Sequence, residues 1–193
     1  GQRRFSTIEG AISSSTCLAC DAGKHLSSTG APPPADCISC AAGSHQSASG
    51  SSSWLAGTAG FFESKVGSNA TACDACSKGS YQDLSGQSFC RSCPGGYYRA
   101  RPDVGTSCLV CGSGQYSGAE SASCTKCARG RYVSTAKSAS ASDCIDCGQR
   151  RFSTIEGAIS SSTCLACDAG KHLSSTGAPP PADCISCAAG SHQ

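Results

Sequence analysis

The nine residues from Cys90 to Tyr98, Cys-Arg-Ser-Cys-Pro-Gly-Gly-Tyr-Tyr, carry the pattern that most restricts what this chain can fold into. It is a Cys-x-x-Cys pair, with glycine three residues and an aromatic five residues after the second cysteine. The same grammar recurs at Cys73/Cys76 with Gly79 and Tyr81, at Cys108/Cys111 with Gly114 and Tyr116, and at Cys124/Cys127 with Gly130 and Tyr132. Cys17/Cys20 and Cys37/Cys40 keep Gly23 and Gly43 but place His25 and His45 in the aromatic slot, while Cys144/Cys147 has Arg150 for glycine and keeps Phe152. All 18 cysteines fall into nine such pairs, which makes the chain a tandem array.

The array is itself repeated. Residues 1–46 and 148–193 are identical at an offset of 147, whereas neighbouring repeats share little beyond cysteine, glycine and aromatic. Either the repeat is genetic and recent, or the chain is one period of a fibre with its overlap, and both make it a piece of something longer. The gap from Cys40 to Cys73 fits the template as a worn repeat, with Trp54 and Gly57 in the cysteine slots, Gly60 in the glycine slot and Phe62 in the aromatic slot. Counted so, first positions step by 16 to 20 residues and close on 147. The expected repeats are 17–36, 37–53, 54–72 (degenerate), 73–89, 90–107, 108–123, 124–143, 144–163 and 164–183, with partial repeats at 1–16 and 184–193. Trp54 with Phe61 and Phe62 stands as an apolar replacement for the missing crosslink, by burial, or as an exposed patch for lateral or glycan contacts.

With 193 residues but no Met, one Trp and Ser-rich spacers, the chain lacks the material for an ordinary core. Its cysteine content is that of a disulfide scaffold, which argues for an oxidising compartment, extracellular or at the cell surface. A net charge of +2 with mixed signs gives no reason to expect nucleic acid, and the longest basic cluster is the dipeptide Arg3-Arg4. No apolar run approaches the ~20 residues of a membrane span. No signal peptide is visible; the chain begins inside a repeat, so its true N-terminus is expected to lie upstream. Secondary structure should be sparse, with strands at Tyr97-Tyr98-Arg99 and Arg131-Tyr132-Val133 and at most one helical turn at the capping-box sequence Ser6-Thr7-Ile8-Glu9. Pro32-Pro33-Pro34 should form a stiff extended patch.

The glycine after each pair supplies a turn with positive φ that sends the chain back, so that the next aromatic lies against a disulfide. Closing loops of ~15 residues is worth roughly 3 kcal/mol each in the chain-entropy account, enough to stabilise an array too thin to hold by burial alone. The expected fold is therefore small, disulfide-rich and mostly irregular, with short β-hairpins in tandem repeats forming an elongated rod or solenoid.

Cys93-Pro94-Gly95-Gly96-Tyr97-Tyr98 followed by Cys108-Leu109-Val110-Cys111 resembles the ephrin-receptor-like cysteine-rich repeat and is similar to the first loop of tumour-necrosis-factor-receptor modules. Related arrays occur on algal and protist surface proteins, flagellar hairs among them. In that family the cysteine before the Gly-aromatic turn pairs with the first cysteine of the next pair. The resemblance therefore implies a ladder of Cys20–Cys37, Cys76–Cys90, Cys93–Cys108, Cys111–Cys124, Cys127–Cys144, Cys147–Cys164 and Cys167–Cys184. Cys40 would reach Cys73 across the worn repeat, and Cys17 and Cys187 would be left for partners further along. Bonding within each Cys-x-x-Cys is the competing scheme; it explains why the worn repeat lost both cysteines together, though a four-residue ring is tight for a structural bridge.

Paired Cys-x-x-Cys motifs also match zinc-ribbon spacing, but seven pairs per period do not divide into four-cysteine sites. A redox Cys-x-x-Cys would sit at a helix N-terminus in a βαβ context that is missing here. His25, His45, His172 and His192 all fill the aromatic slot, where packing on a disulfide is their expected role. No nucleophile and base are arrayed together, so neither catalysis nor a metal or other cofactor is expected. Asn69-Ala70-Thr71 is an N-glycosylation sequon holding the chain's one Asn, and Ser13 to Thr16 and Ser51 to Ser53 are candidate O-glycan runs. The expected function is a structural component of an extracellular filament or surface appendage, its partners being copies of itself and glycans. The alternative is a ligand-binding receptor or adhesin stalk.

Overall fold

The computed structural model describes residues 4–6, 17–26, 37–101, 105–173, 176–177 and 184–188. The capping-box sequence, the Pro32 triplet, the Ser13 run and His192 lie outside these residues, apart from Ser6, which ends a strand. The chain divides into two compact units, one of residues 1–91 with 102–107 and one of 92–101 with 108–193.

Each unit is a succession of two-stranded antiparallel ladders. In the first, Arg4–Ser6 pairs with Cys17–Ala19, Lys24–His25 with Ile38–Ser39, Ser44–His45 with Leu55–Ala56, and Phe61–Phe62 with Asp74–Ala75. In the second, Tyr97–Tyr98 pairs with Leu109–Val110, Gln115–Tyr116 with Thr125–Lys126, and Arg131–Tyr132 with Ile145–Asp146. Arg151–Phe152 then pairs with Leu165–Ala166, and Lys171–His172 with Ile185–Ser186. Among the described residues, helix is confined to the 3₁₀ turns Ala141–Asp143 and Ser161–Thr163. Each ladder joins the Gly-aromatic arm of one repeat to the Cys-x-x-Cys arm of the next. Strands of two residues cannot stand alone, and a disulfide pins each regular ladder.

Backbone hydrogen bonds carry the pattern from repeat to repeat. Gly43 N–H donates to the Glu63 carbonyl at 2.7 Å, and the Gly43 carbonyl accepts from Gly57 N–H at 2.9 Å. In the second unit Gly114 N–H donates to Val133 at 2.8 Å, and its carbonyl accepts from Cys127 N–H at 2.9 Å. Gly43 has φ +88°, and a Cβ there would collide with the carbonyl oxygen of Gly86. Arg150 holds the same left-handed turn at φ 62° and accepts from Cys167 N–H at 3.2 Å, so the backbone demand persists where glycine is lost.

A second positive-φ position follows seven residues after the first, as Gly50 after Gly43, Gly67 after Gly60 and Gly86 after Gly79. Its N–H reaches back to the second-cysteine slot of the preceding repeat: Gly67 to the Cys40 carbonyl and Gly86 to the Gly57 carbonyl, both at 2.7 Å.

Most second cysteines and most residues after the aromatic are among the buried residues. Cys76, Cys93, Cys111, Cys127 and Cys147 are wholly buried, and Leu26, Gln46, Glu63, Gln82, Ser117, Val133, Ser153 and Leu173 are buried in the slot after the aromatic. Most polar residues in that slot bond their own loop, while Ser117 Oγ donates to the Tyr97 carbonyl of the preceding repeat at 2.9 Å. Gln82 Nε2 donates to the Phe89 carbonyl at 2.7 Å, and its Oε1 accepts from Leu84 N–H at 3.0 Å. Buried polar groups are tolerated when so satisfied.

Candidate functional site

The disulfide register and its one interruption define the site. Seven disulfides lie among the described residues, joining Cys20 to Cys37, Cys76 to Cys90, Cys93 to Cys108, Cys111 to Cys124, Cys127 to Cys144, Cys147 to Cys164 and Cys167 to Cys184. Each links the second cysteine of one repeat to the first of the next, across 13 to 17 residues, and none closes within a Cys-x-x-Cys. The aromatic of the repeat before packs on the bond: Tyr116 lies against Cys127 and Cys144, and Phe152 lies with Cys167 and Cys184.

Cys40 and Cys73 are not joined. Both are thiols and both are buried, which corrects the expected bond across the worn repeat. The physical reason is register. The ladder rule assigns Cys40 to slot 54 and Cys73 to slot 57, so replacing that pair by Trp54 and Gly57 orphans two sulfurs in different places. A Cβ added to Gly57 would stand 2.8 Å from Cys73 Sγ, at the place where a partner cysteine belongs. Cys187, the copy of Cys40 at the 147-residue offset, is also a thiol and is half-buried. The side chain of Cys17 lies outside the described residues.

The empty slot leaves a cavity of about 140 Å³ lined by His45, Ala56, Gly57, Thr58, Phe61, Ala72 and Cys73. His45 Nδ1 stands 3.3 Å from Cys73 Sγ. Burial first, then the charges of Glu63 and Asp74, push the Cys73 thiol up, and burial pushes up that of Cys40. Glu63 is held below the ordinary carboxylate range, chiefly by the Ser68 hydroxyl donating to its Oε2 at 2.6 Å and then by Lys65 N–H. Trp54 is 47% exposed, with Phe61 and Phe62 half-buried, so Trp54 does not replace the lost bond by burial.

Among the described residues no group of three or more His, Cys, Asp or Glu is placed to hold a metal ion, and no helix is long and apolar enough to cross a membrane. Asn69 is exposed.

Ladders of two-residue strands, each regular one stapled to the next repeat by one disulfide, define a cysteine-rich tandem-repeat protein. Residues 60–103 and 114–164 match the family described as tyrosine-protein kinase ephrin type A/B receptor-like, and these two tandem segments are cysteine-rich repeats of that kind. No curated protein matches the chain.

Proposed function

We propose that this chain is a structural component of an extracellular filament or cell-surface appendage, built from the repeats bounded above and glycosylated at Asn69. The observation that carries this reading is the identity of residues 1–46 with 148–193, because equal steps along a chain place equal contacts along an axis. Two features support it. Backbone bonds and disulfides run from each repeat to its neighbour, the linkage of a quasi-one-dimensional array. The density of disulfides, with a receptor-like repeat family, favours an oxidising extracellular or surface location. Exposed Trp54, with half-buried Phe61 and Phe62, is the proposed lateral or glycan contact. The test is to express several 147-residue periods in a secretory host and look for filaments by electron microscopy. A series of monodisperse particles that never assemble would sink the reading. The receptor-like family match favours a second reading, a ligand-binding receptor or adhesin stalk, which a membrane anchor in the full-length protein would support.

A further inference from the structure

The histidines do not fall at random among the repeats. In the regular register, the aromatic of one repeat packs on the disulfide begun by the next, as Tyr116 and Phe152 do. By the same register His45 faces the slot pairing Gly57 with Cys73, and His25 faces that of Cys40 with Trp54. These are the two slots where a sulfur has lost its partner. His45 Nδ1 is 3.3 Å from Cys73 Sγ, and His172, the copy of His25, is 3.9 Å from Cys187, the copy of Cys40, while the buried Nδ1 of His25 itself has no hydrogen-bond partner. Wherever the aromatic would face a bare thiol, the chain carries imidazole instead.

Of these places, the one at Cys73 also has room. Its cavity of about 140 Å³ is comparable to one that admits benzene, and the wall residues Thr58 and Ala72 are exposed at its mouth. Cys40, by contrast, is wholly buried. We propose that Cys73 with His45 is a thiol-capture site, at which a low-molecular-weight disulfide completes the half-cystine left by Gly57. His45 Nδ1 accepts the Cys73 S–H proton as Sγ attacks one sulfur of R–S–S–R. The new Cys73–S–S–R bond forms, the old S–S bond breaks, and the departing thiolate takes the proton back as R–SH. Cys73 is oxidised and half of the small disulfide is reduced, so nothing further is consumed. Because burial and the Glu63 and Asp74 charges keep Cys73 protonated, an adjacent base is what the exchange requires.

The experiment incubates the folded chain with cystamine and follows adducts by intact mass and peptide mapping. Cys73 gains one cysteamine while Cys40 stays a thiol. His45→Phe, which restores the aromatic of regular repeats, slows the adduct about a hundredfold, the ordinary contribution of a positioned base. Thr58→Phe fills the mouth of the cavity and blocks the adduct with His45 intact, and mapping of the seven disulfides verifies that either variant has folded. An unmodified Cys73, labelling of Cys40 at the same rate, or equal rates in wild type and His45→Phe would overturn the proposal.

Discussion

Restoring one cysteine should repair the interrupted ladder. In Gly57→Cys the new Cβ falls 2.8 Å from Cys73 Sγ. That is close to the ~3 Å separation between a Cβ and the far sulfur of a disulfide of normal bond length. Gly57 is not among the positive-φ glycines, so a side chain there meets no backbone strain. Residues 57 and 73 are 16 apart, within the 13 to 17 of the other rungs, and closing such a loop is worth roughly 3 kcal/mol. Global melting of an array is not a two-state event, so amide hydrogen exchange near the new bond is the suitable assay. The amide of Cys76, which donates to the Gly60 carbonyl at 3.1 Å, and that of Gly60, which donates to Gln82 at 2.7 Å, report on opening of this repeat. Protection of both should rise about a hundredfold, the factor that ~3 kcal/mol implies for local opening, and the thiol titre should fall by one. A titre that rises by one, the new cysteine staying free beside Cys73, would refute the register argument. A bond formed without added protection would refute the loop-closure magnitude.

Gly43→Ala combines a left-handed cost of about 1–2 kcal/mol with a collision against the Gly86 carbonyl, and should speed hydrogen exchange at the Gly57 amide, which donates to the Gly43 carbonyl; Gly112→Ala, whose Cβ meets nothing, should leave it unchanged. Arg150→Gly relieves the same left-handed cost and should stabilise by about 1 kcal/mol, read as slower exchange at the Cys167 amide. Glu63 has a depressed folded-state pKa, so its contribution is complete above the ordinary carboxylate range and lost as pH falls through the folded value. Glu63→Gln should therefore flatten the acid limb of local stability, read as hydrogen-exchange protection of the Gly60 amide at successive pH values.

The parts of this fold legible in the sequence are those in which one residue type serves one purpose. Cysteine pairs, the glycine after them and the aromatic or His mark the regular repeats, and Trp54, Gly57, Gly60 and Phe62 fit the same template where the cysteines are missing. Arg150 shows the limit of that reading, since a backbone conformation can persist after its usual residue has gone. The second glycine, seven residues after the first, was present in the sequence as a spacing. Its purpose is to bring a backbone N–H onto the preceding repeat, and hydrogen bonds between main-chain atoms leave little trace in side-chain identity. The buried slot after the aromatic was hidden for a related reason. Leu26, Gln46, Glu63, Ser117 and Val133 share no chemistry, because packing, a bond within the loop and, at Ser117, a bond to the preceding repeat all fill the slot. Cys40 and Cys73 are both left over but belong to different slots, 54 and 57, so lacking partners does not make them partners of each other. The same slot rule would have set His45 against Cys73 from the sequence alone.

Peptide mapping of the non-reduced protein, alkylated before digestion, tests the ladder and its interruption most directly. The account predicts Cys93 linked to Cys108 and Cys127 linked to Cys144, with Cys40 and Cys73 bonded to no other cysteine of the chain. A Cys90–Cys93 peptide, or one joining Cys40 to Cys73, would contradict it.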